Sequence, residues 1–131
     1  RRDGVALSLI EKGSPAVEMD MDMMASVIIN LFDNACKAGA KHITIEAEDH
    51  RICVRDDGAG IPADEIDKIK QPFYVVDKNK SAGGSGLGLA LCDLILRAHR
   101  AKLHIESRLG EGTIMTVTFE RLHFDNTVKN T

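Results

Sequence analysis

The chain has no tryptophan, a single tyrosine and three cysteines, none of them in a C-x-x-C pair. Cys36, Cys53 and Cys92 lie far apart and are odd in number, which excludes a disulfide framework and a zinc knuckle. Each stands where a small apolar residue fits a helix or strand, so reduced core cysteines are expected. There is no excess of positive charge: 17 Lys and Arg against 20 Asp and Glu give a net charge of −3. That balance argues against nucleic acid as a partner. No apolar run approaches the length of a membrane span, so no direct membrane contact is expected of these residues. The start Arg1-Arg2-Asp3-Gly4 has neither an initiator methionine nor a signal-peptide apolar region, and the chain reads as part of something larger.

What is present fits one compact domain. The 131 residues are 44% hydrophobic and 28% charged, enough for a single core over about residues 5–120 with a polar tail at 121–131. Met19, Met21, Met23, Met24 and Met115 read as core filling. Alternation predicts a strand over 5–10, followed by a loop at Gly13-Ser14-Pro15. Asp20 or Asp22 then caps a helix whose stripe is Met24, Val27, Ile28, Leu31 and Ala35, stopped by Gly39. Period-two segments at 42–48 and 51–55 predict an antiparallel hairpin through Asp49 and His50. A short helix is expected over 63–70, and a mobile, lysine- and glycine-rich loop over 71–85. A second long helix over 87–99 is expected to bury Leu87, Ala90, Leu91, Leu94, Ile95 and Ala98. Strands at 102–107 and 113–120 turn at Leu109-Gly110-Glu111-Gly112. The sum is an α+β fold: a two-layer α/β sandwich with helices on one face of a mixed, mostly antiparallel sheet.

Three glycine clusters punctuate this pattern: Asp56-Asp57-Gly58-Ala59-Gly60-Ile61-Pro62, Gly83-Gly84-Ser85-Gly86-Leu87-Gly88-Leu89 and Gly110-Glu111-Gly112-Thr113. With Asn30-Leu31-Phe32-Asp33-Asn34 they read as an ATP site, because glycine admits close backbone approach and a helix start offers unpaired N–H groups to an anion. Asn30, Asn34 and Lys37 share one helix face. Their amide oxygens suit magnesium and the ammonium suits phosphate; the other reading is a solvated polar face. Asp56, at a strand end, can accept from the exocyclic amine of adenine and would repel the carbonyl of guanine, or it can be an ordinary Asp-Gly turn. Gly84, Gly86, Leu87 and Gly88 open the second helix, where the dipole favours a polyphosphate. No G-K-[ST] follows, so this is not a Walker loop, and no βαβ unit contains it. Lys78 and Lys80, just upstream, can reach a terminal phosphate or simply keep an exposed loop soluble.

Taken in order, Asn30-Leu31-Phe32-Asp33-Asn34-Ala35-Cys36-Lys37, the Asp56 and Gly84 clusters, Pro72-Phe73-Tyr74 between them, and Gly110-Glu111-Gly112-Thr113 resemble the N, G1, G2, F and G3 boxes of bacterial sensor histidine kinases. The resemblance runs from about residue 5 to 120. It implies a Bergerat-type (GHKL) ATP-binding catalytic domain. By position, Asn30 and Asn34 resemble the magnesium-side asparagines and Lys37 the basic residue on phosphate. Asp56 resembles the adenine-reading aspartate, with Gly58, Gly60 and Ile61 about the base and Thr113 supplying a hydroxyl to it. Phe73 resembles the aromatic that anchors the lid, and Lys78 and Lys80 its cations. Asn30, Lys37, Lys78 and Lys80 are then the groups nearest the transferred phosphoryl.

Three departures qualify the match. Ala38 stands where relatives often have an aromatic, the segment between Tyr74 and Gly83 is short and carries lysine where arginine is frequent, and there is no phosphoacceptor box. None of His42, His50, His99, His104 and His123 precedes an acidic residue, and each reads as a strand or surface histidine. The resemblance therefore implies a cytoplasmic domain that binds ATP and magnesium and serves a histidine on a separate helical dimerisation domain of the same kinase. A response regulator would lie downstream, and membrane anchoring of the parent protein is left open. The alternatives are an ATPase clamp of the mismatch-repair, gyrase or Hsp90 kind, an anti-sigma serine kinase, and a non-catalytic nucleotide-binding module. The clamp is disfavoured because Asn30 stands where those enzymes have a glutamate base, and an amide cannot deprotonate water.

Overall fold

The computed structural model describes residues 4–12, 20–48, 50–71 and 88–120. Five strands and two helices follow the expected order: β1 (Ala6–Glu11), α1 (Met21–Lys37), β2 (His42–Ala47), β3 (Arg51–Asp56), α2 (Gly88–Ala98), β4 (Ala101–Arg108) and β5 (Gly112–Phe119). The strands form one sheet in the order β1-β2-β3-β5-β4, with β1 parallel to β2 and every other pair antiparallel. The α+β sandwich with a mixed, mostly antiparallel sheet is therefore what the chain adopts.

The register explains why one face of the sheet is covered. Residues directly opposite one another share a face, so Leu9, Ile45, Val54, Met115 and Ile105 form one transverse row. Ala47, Ile52, Val117 and Leu103 form the next. From Ile45 and Ile52 across to β4 these rows pack with Met24, Val27, Leu31 and Ala35 of α1 and Cys92, Ile95 and Leu96 of α2 into one core, while Leu9 at the β1 edge is 73% exposed. The other face is a polar ladder, where Arg55 meets Glu46 at 3.7 Å and Lys12 meets Glu46 at 3.7 Å.

Asp20 caps α1, its carboxylate accepting from the Met23 amide at 3.0 Å, while Asp22 sits in the first turn. Of the stripe expected on α1, Met24, Val27, Leu31 and Ala35 are buried and Ile28 is only half-buried. His99 bolts the two helices together: its Nδ1–H donates to the Ile95 carbonyl and its Nε2 accepts from the Asp20 amide at 2.9 Å. It is a structural strut rather than a surface histidine.

The expected face of α2 is corrected. Ile95 is buried as expected, together with Cys92 and Leu96, whereas Leu91 and Leu94 are 48% and 67% exposed and Ala98 is exposed as well. This helix is apolar on two sides, so periodicity alone cannot say which side meets the sheet. Two further corrections concern the segment after the Asp56 cluster and the sulfur residues. Residues 63–70 form a 3-10 turn, Ala63–Glu65, continued by turns, because the bonds run from Glu65 to Pro62, Lys68 to Glu65 and Gln71 to Lys68, all three apart. Met24 and Met115 fill the core, but Met21 and Met23 are exposed. Cys92 is fully buried, and burial pushes its thiol up to about 11. Cys53 instead lies on the outer face, opposite Glu46 and Thr116.

Candidate functional site

At one end of the covered face the apolar rows give way to a polar one. Ile43 of β2 is opposite Asp56 of β3, Asp56 is opposite Thr113 of β5, and Thr113 is opposite Ser107 of β4. In each of β3, β5 and β4 the strand period places this residue in phase with two core residues: Ile52 and Val54, Met115 and Val117, Leu103 and Ile105. Three polar side chains facing inward where hydrophobic ones are expected need partners, and a ligand is one source of them.

The row is tightly held. Asp56 Oδ1 accepts from the Gly58 amide at 2.8 Å. Burial raises the Asp56 carboxyl above the usual carboxylate range, against the lowering effect of the Gly58 and Thr113 amides. Thr113 is 5% exposed, and its hydroxyl lies 2.8 Å from Ser107 Oγ. Ser107 also accepts from the Ile61 amide at 2.7 Å, which ties the glycine loop after β3 to the sheet edge. Sequence reasoning misses Ser107. The signal that finds it is the phase of β4, which puts this serine on the same side as Leu103 and Ile105.

Asp57, one residue on, does something different. Its carboxylate accepts from the His42 amide at 2.9 Å, the His42 ring Nδ1 at 2.8 Å and the Lys41 amide at 2.8 Å. The His42 contacts and then the Lys41 amide hold its carboxyl down at about 2. This side chain fastens the loop to the start of β2.

Two of the glycines expected to line the base serve the protein's own backbone. A Cβ on Gly58 would lie 2.9 Å from both Ala38 Cβ and the Ala38 carbonyl oxygen. Gly60, with φ +80, has the Arg108 carbonyl where its Cβ would be. Ala59 completes the join, donating to the Ala38 carbonyl at 2.9 Å and accepting from the Gly110 amide at 2.7 Å. Absent side chains thus let the end of α1, the Asp56 loop and the turn before β5 close on one another.

The helix side of the site lies along α1. The Asn30 amide group donates back to the Ser26 carbonyl at 2.9 Å, and its Oδ1 faces α2, 3.0 Å from where a Cβ on Gly88 would stand. Asn34 has a buried amide nitrogen without a hydrogen-bond partner among the described residues. Lys37 is paired with Asp33 at 3.2 Å. An oxygen at the α1–α2 junction suits a hard cation, and an orphaned buried amide donor suits an anionic oxygen. Phe73, Lys78, Lys80, Gly84, Gly86 and Leu87 lie outside the described residues. Among the described residues no group of three or more His, Cys, Asp or Glu could hold a metal, and no helix is long and apolar enough to cross a membrane.

Comparison with known proteins gives this arrangement a family. Residues 19–123 match the model of the histidine kinase-, DNA gyrase B-, and HSP90-like ATPases. The chain is 37% identical over 112 residues to the sensor histidine kinase WalK of Bacillus subtilis, covering 78% of this chain and 18% of that protein. It is 34% identical over 127 residues to the sensor protein kinase WalK of Staphylococcus aureus, covering 89% of this chain and 31% of that one. Among solved structures, the catalytic domain of histidine kinase ThkA superposes with a TM-score of 0.73 at 28% identity, over 88% of this chain and 80% of that domain. The chain thus spans less than a third of the length of either of these curated relatives. Neither a clamp ATPase nor an anti-sigma kinase is favoured by these likenesses. The chain belongs to the histidine kinase-, DNA gyrase B-, and HSP90-like ATPase family, and within it resembles the catalytic domains of sensor histidine kinases.

Proposed function

We propose that these residues form a single cytoplasmic domain that binds Mg-ATP and presents its γ-phosphoryl group to a histidine on a separate helical dimerisation domain, from which a response regulator is then served. The observation that carries this is the inward-facing row Asp56, Thr113 and Ser107 beside the amide face of α1. Asp56 accepts a hydrogen bond from the adenine amine, while Ile61 and the loop joined by Gly58 and Gly60 flank the base. Asn30 and Asn34 would hold the magnesium ion, which supplies charge neutralisation on the phosphates; their contribution is to fix its place. Lys37 reaches phosphate once it leaves Asp33. Lys78, Lys80 and Phe73 are assigned to the cover over the phosphates, and Gly84, Gly86, Leu87 and Gly88 to the helix start that meets them.

The attacking imidazole is assigned to the separate dimerisation domain, so the chain by itself should bind nucleotide and show negligible turnover. The exposed stripe of Leu91 and Leu94 begins one turn from Gly88, where α2 meets Asn30, and we assign it to the acceptor helices. Leu94→Glu should then lower transfer in the full-length protein while ATP affinity holds. The primary test is titration calorimetry of the chain with ATP and ADP, with and without magnesium. Binding that strengthens with magnesium supports the reading, and no binding at millimolar nucleotide ends it.

A further inference from the structure

Ser107 has more hydrogen-bond partners than its single proton can serve. Its Oγ lies 2.7 Å from the Ile61 amide nitrogen, 2.9 Å from the Gly112 carbonyl oxygen and 2.8 Å from Thr113 Oγ1. A serine hydroxyl has one proton to give and two lone pairs to receive with. The Ile61 amide can only donate and the Gly112 carbonyl can only accept. The serine proton is therefore committed to Gly112 and one lone pair to Ile61. What remains is a lone pair, and only the Thr113 proton can satisfy it.

Thr113 thus turns its O–H toward Ser107 and away from the site. Beside Asp56, its direct partner across β3 and β5, it offers lone pairs alone. We propose that Ser107 is a positioning residue for base selection: it fixes the Thr113 hydroxyl as an acceptor, so that the row reads an exocyclic amine and rejects a ring carbonyl in the same place. The inference rests on the ATP-binding reading above. It adds that discrimination comes from two acceptors, Asp56 and Thr113, the second of which has its direction set by a side chain that does not touch the nucleotide.

The test compares ATP with ITP, whose base has a carbonyl where adenine has its amine, by calorimetry on the whole chain. In Ser107→Ala the Thr113 hydroxyl is free to turn its proton toward an ITP carbonyl. The preference for ATP over ITP should fall about three- to tenfold, the worth of one neutral hydrogen bond. Ser107→Thr, which keeps a hydroxyl there, should restore it. In a Thr113→Val background the Ser107→Ala change should move the ratio by less than about twofold, since a coupled pair is not additive. A merely structural serine would weaken both nucleotides equally, and an unchanged ratio in Ser107→Ala overturns the proposal. Should Ser107→Ala not fold, Ser107→Cys is read by the same ratio, because a thiol is a weak donor and acceptor. A wild-type chain that binds no ATP overturns the ATP reading and this proposal together. Wild-type binding with an unmoved ratio overturns this one alone.

Discussion

At the base end, Asp56, Ile61, Ser107 and Thr113 are linked by contacts of 2.7–2.8 Å to one another or to Gly58. Along α1 the polar groups are occupied elsewhere or unserved: Asn30 bonds back to Ser26, Lys37 is paired with Asp33, and the Asn34 amide nitrogen has no partner among the described residues. Both ends are built from side chains at the edge of one core. They differ in where their rigidity comes from. The base end is fixed by register, since its residues sit opposite one another on adjacent strands. The helix end has only the i, i+4 spacing of a single element, which fixes positions but not pairings. The fold thus pre-organises recognition of the base and leaves the phosphate side to be completed on binding.

The largest effect expected from this difference is at Asp56. Asp56→Asn should weaken ATP binding by about ten- to a hundredfold, because a hydrogen bond to a charged group is lost and an amide donor is set against a donor. Folding stability should move the other way. The folded-state carboxyl is raised by burial, so its contribution is present at low pH and is lost as pH rises through that raised value. Near neutral pH the neutral amide should be no less stable than the wild type. Parallel titration and thermal melts check both signs, and a variant that loses stability and affinity together would mean that Asp56 is structural. At the other end, Asn34→Leu should cost about tenfold in Mg-ATP affinity while leaving the free chain as stable or more so, since the unpartnered buried amide is removed. Destabilisation there would erase the contrast between the ends.

Much of this was legible in the sequence, for reasons the structure makes plain. Element order, the α1 stripe and Asp56 follow from local signals: capping by Asp20, Gly39 after the helix, and an acid closing a period-two strand. Two of the departures from expectation have a common cause. Leu91 and Leu94 were expected inside because α2 is apolar on two sides, and only the position of the sheet decides between them. Ser107 is the last residue of the strand expected over 102–107, and only the register of β4 on β5 brings it against Thr113. The purpose of Gly58 and Gly60 is of the same kind. A glycine signature shows that something approaches the backbone; here Ala38 and Arg108 do so.

A smaller effect separates Asp57 from its neighbour. Its lowered carboxyl contributes stability above the ordinary aspartate range and loses it as pH falls toward about 2. The wild type should therefore lose stability across roughly pH 4 to 2 more steeply than Asp57→Asn, which keeps an oxygen acceptor but cannot titrate. Acid-dependent melts of the two chains measure this. Equal slopes would mean that the clamp on Lys41 and His42 does not hold the loop in solution.

The smallest effect probes the helix end most directly. Lys37 and Asp33 are about a third exposed and 3.2 Å apart, so their pairing is a partly screened surface contact. If Lys37 must leave Asp33 to meet phosphate, some binding energy is spent on breaking that pair. Asp33→Asn removes the competing charge and should strengthen ATP binding by about two- to threefold, in line with a pair of about 0.5 kcal/mol. The gain should shrink with salt, which already weakens the pair in the wild type. ADP should gain less than ATP if Lys37 reaches the terminal phosphate. Equal gains for both would place its ammonium nearer the inner phosphates, and a loss of affinity would show that Asp33 holds Lys37 in its binding position rather than away from it.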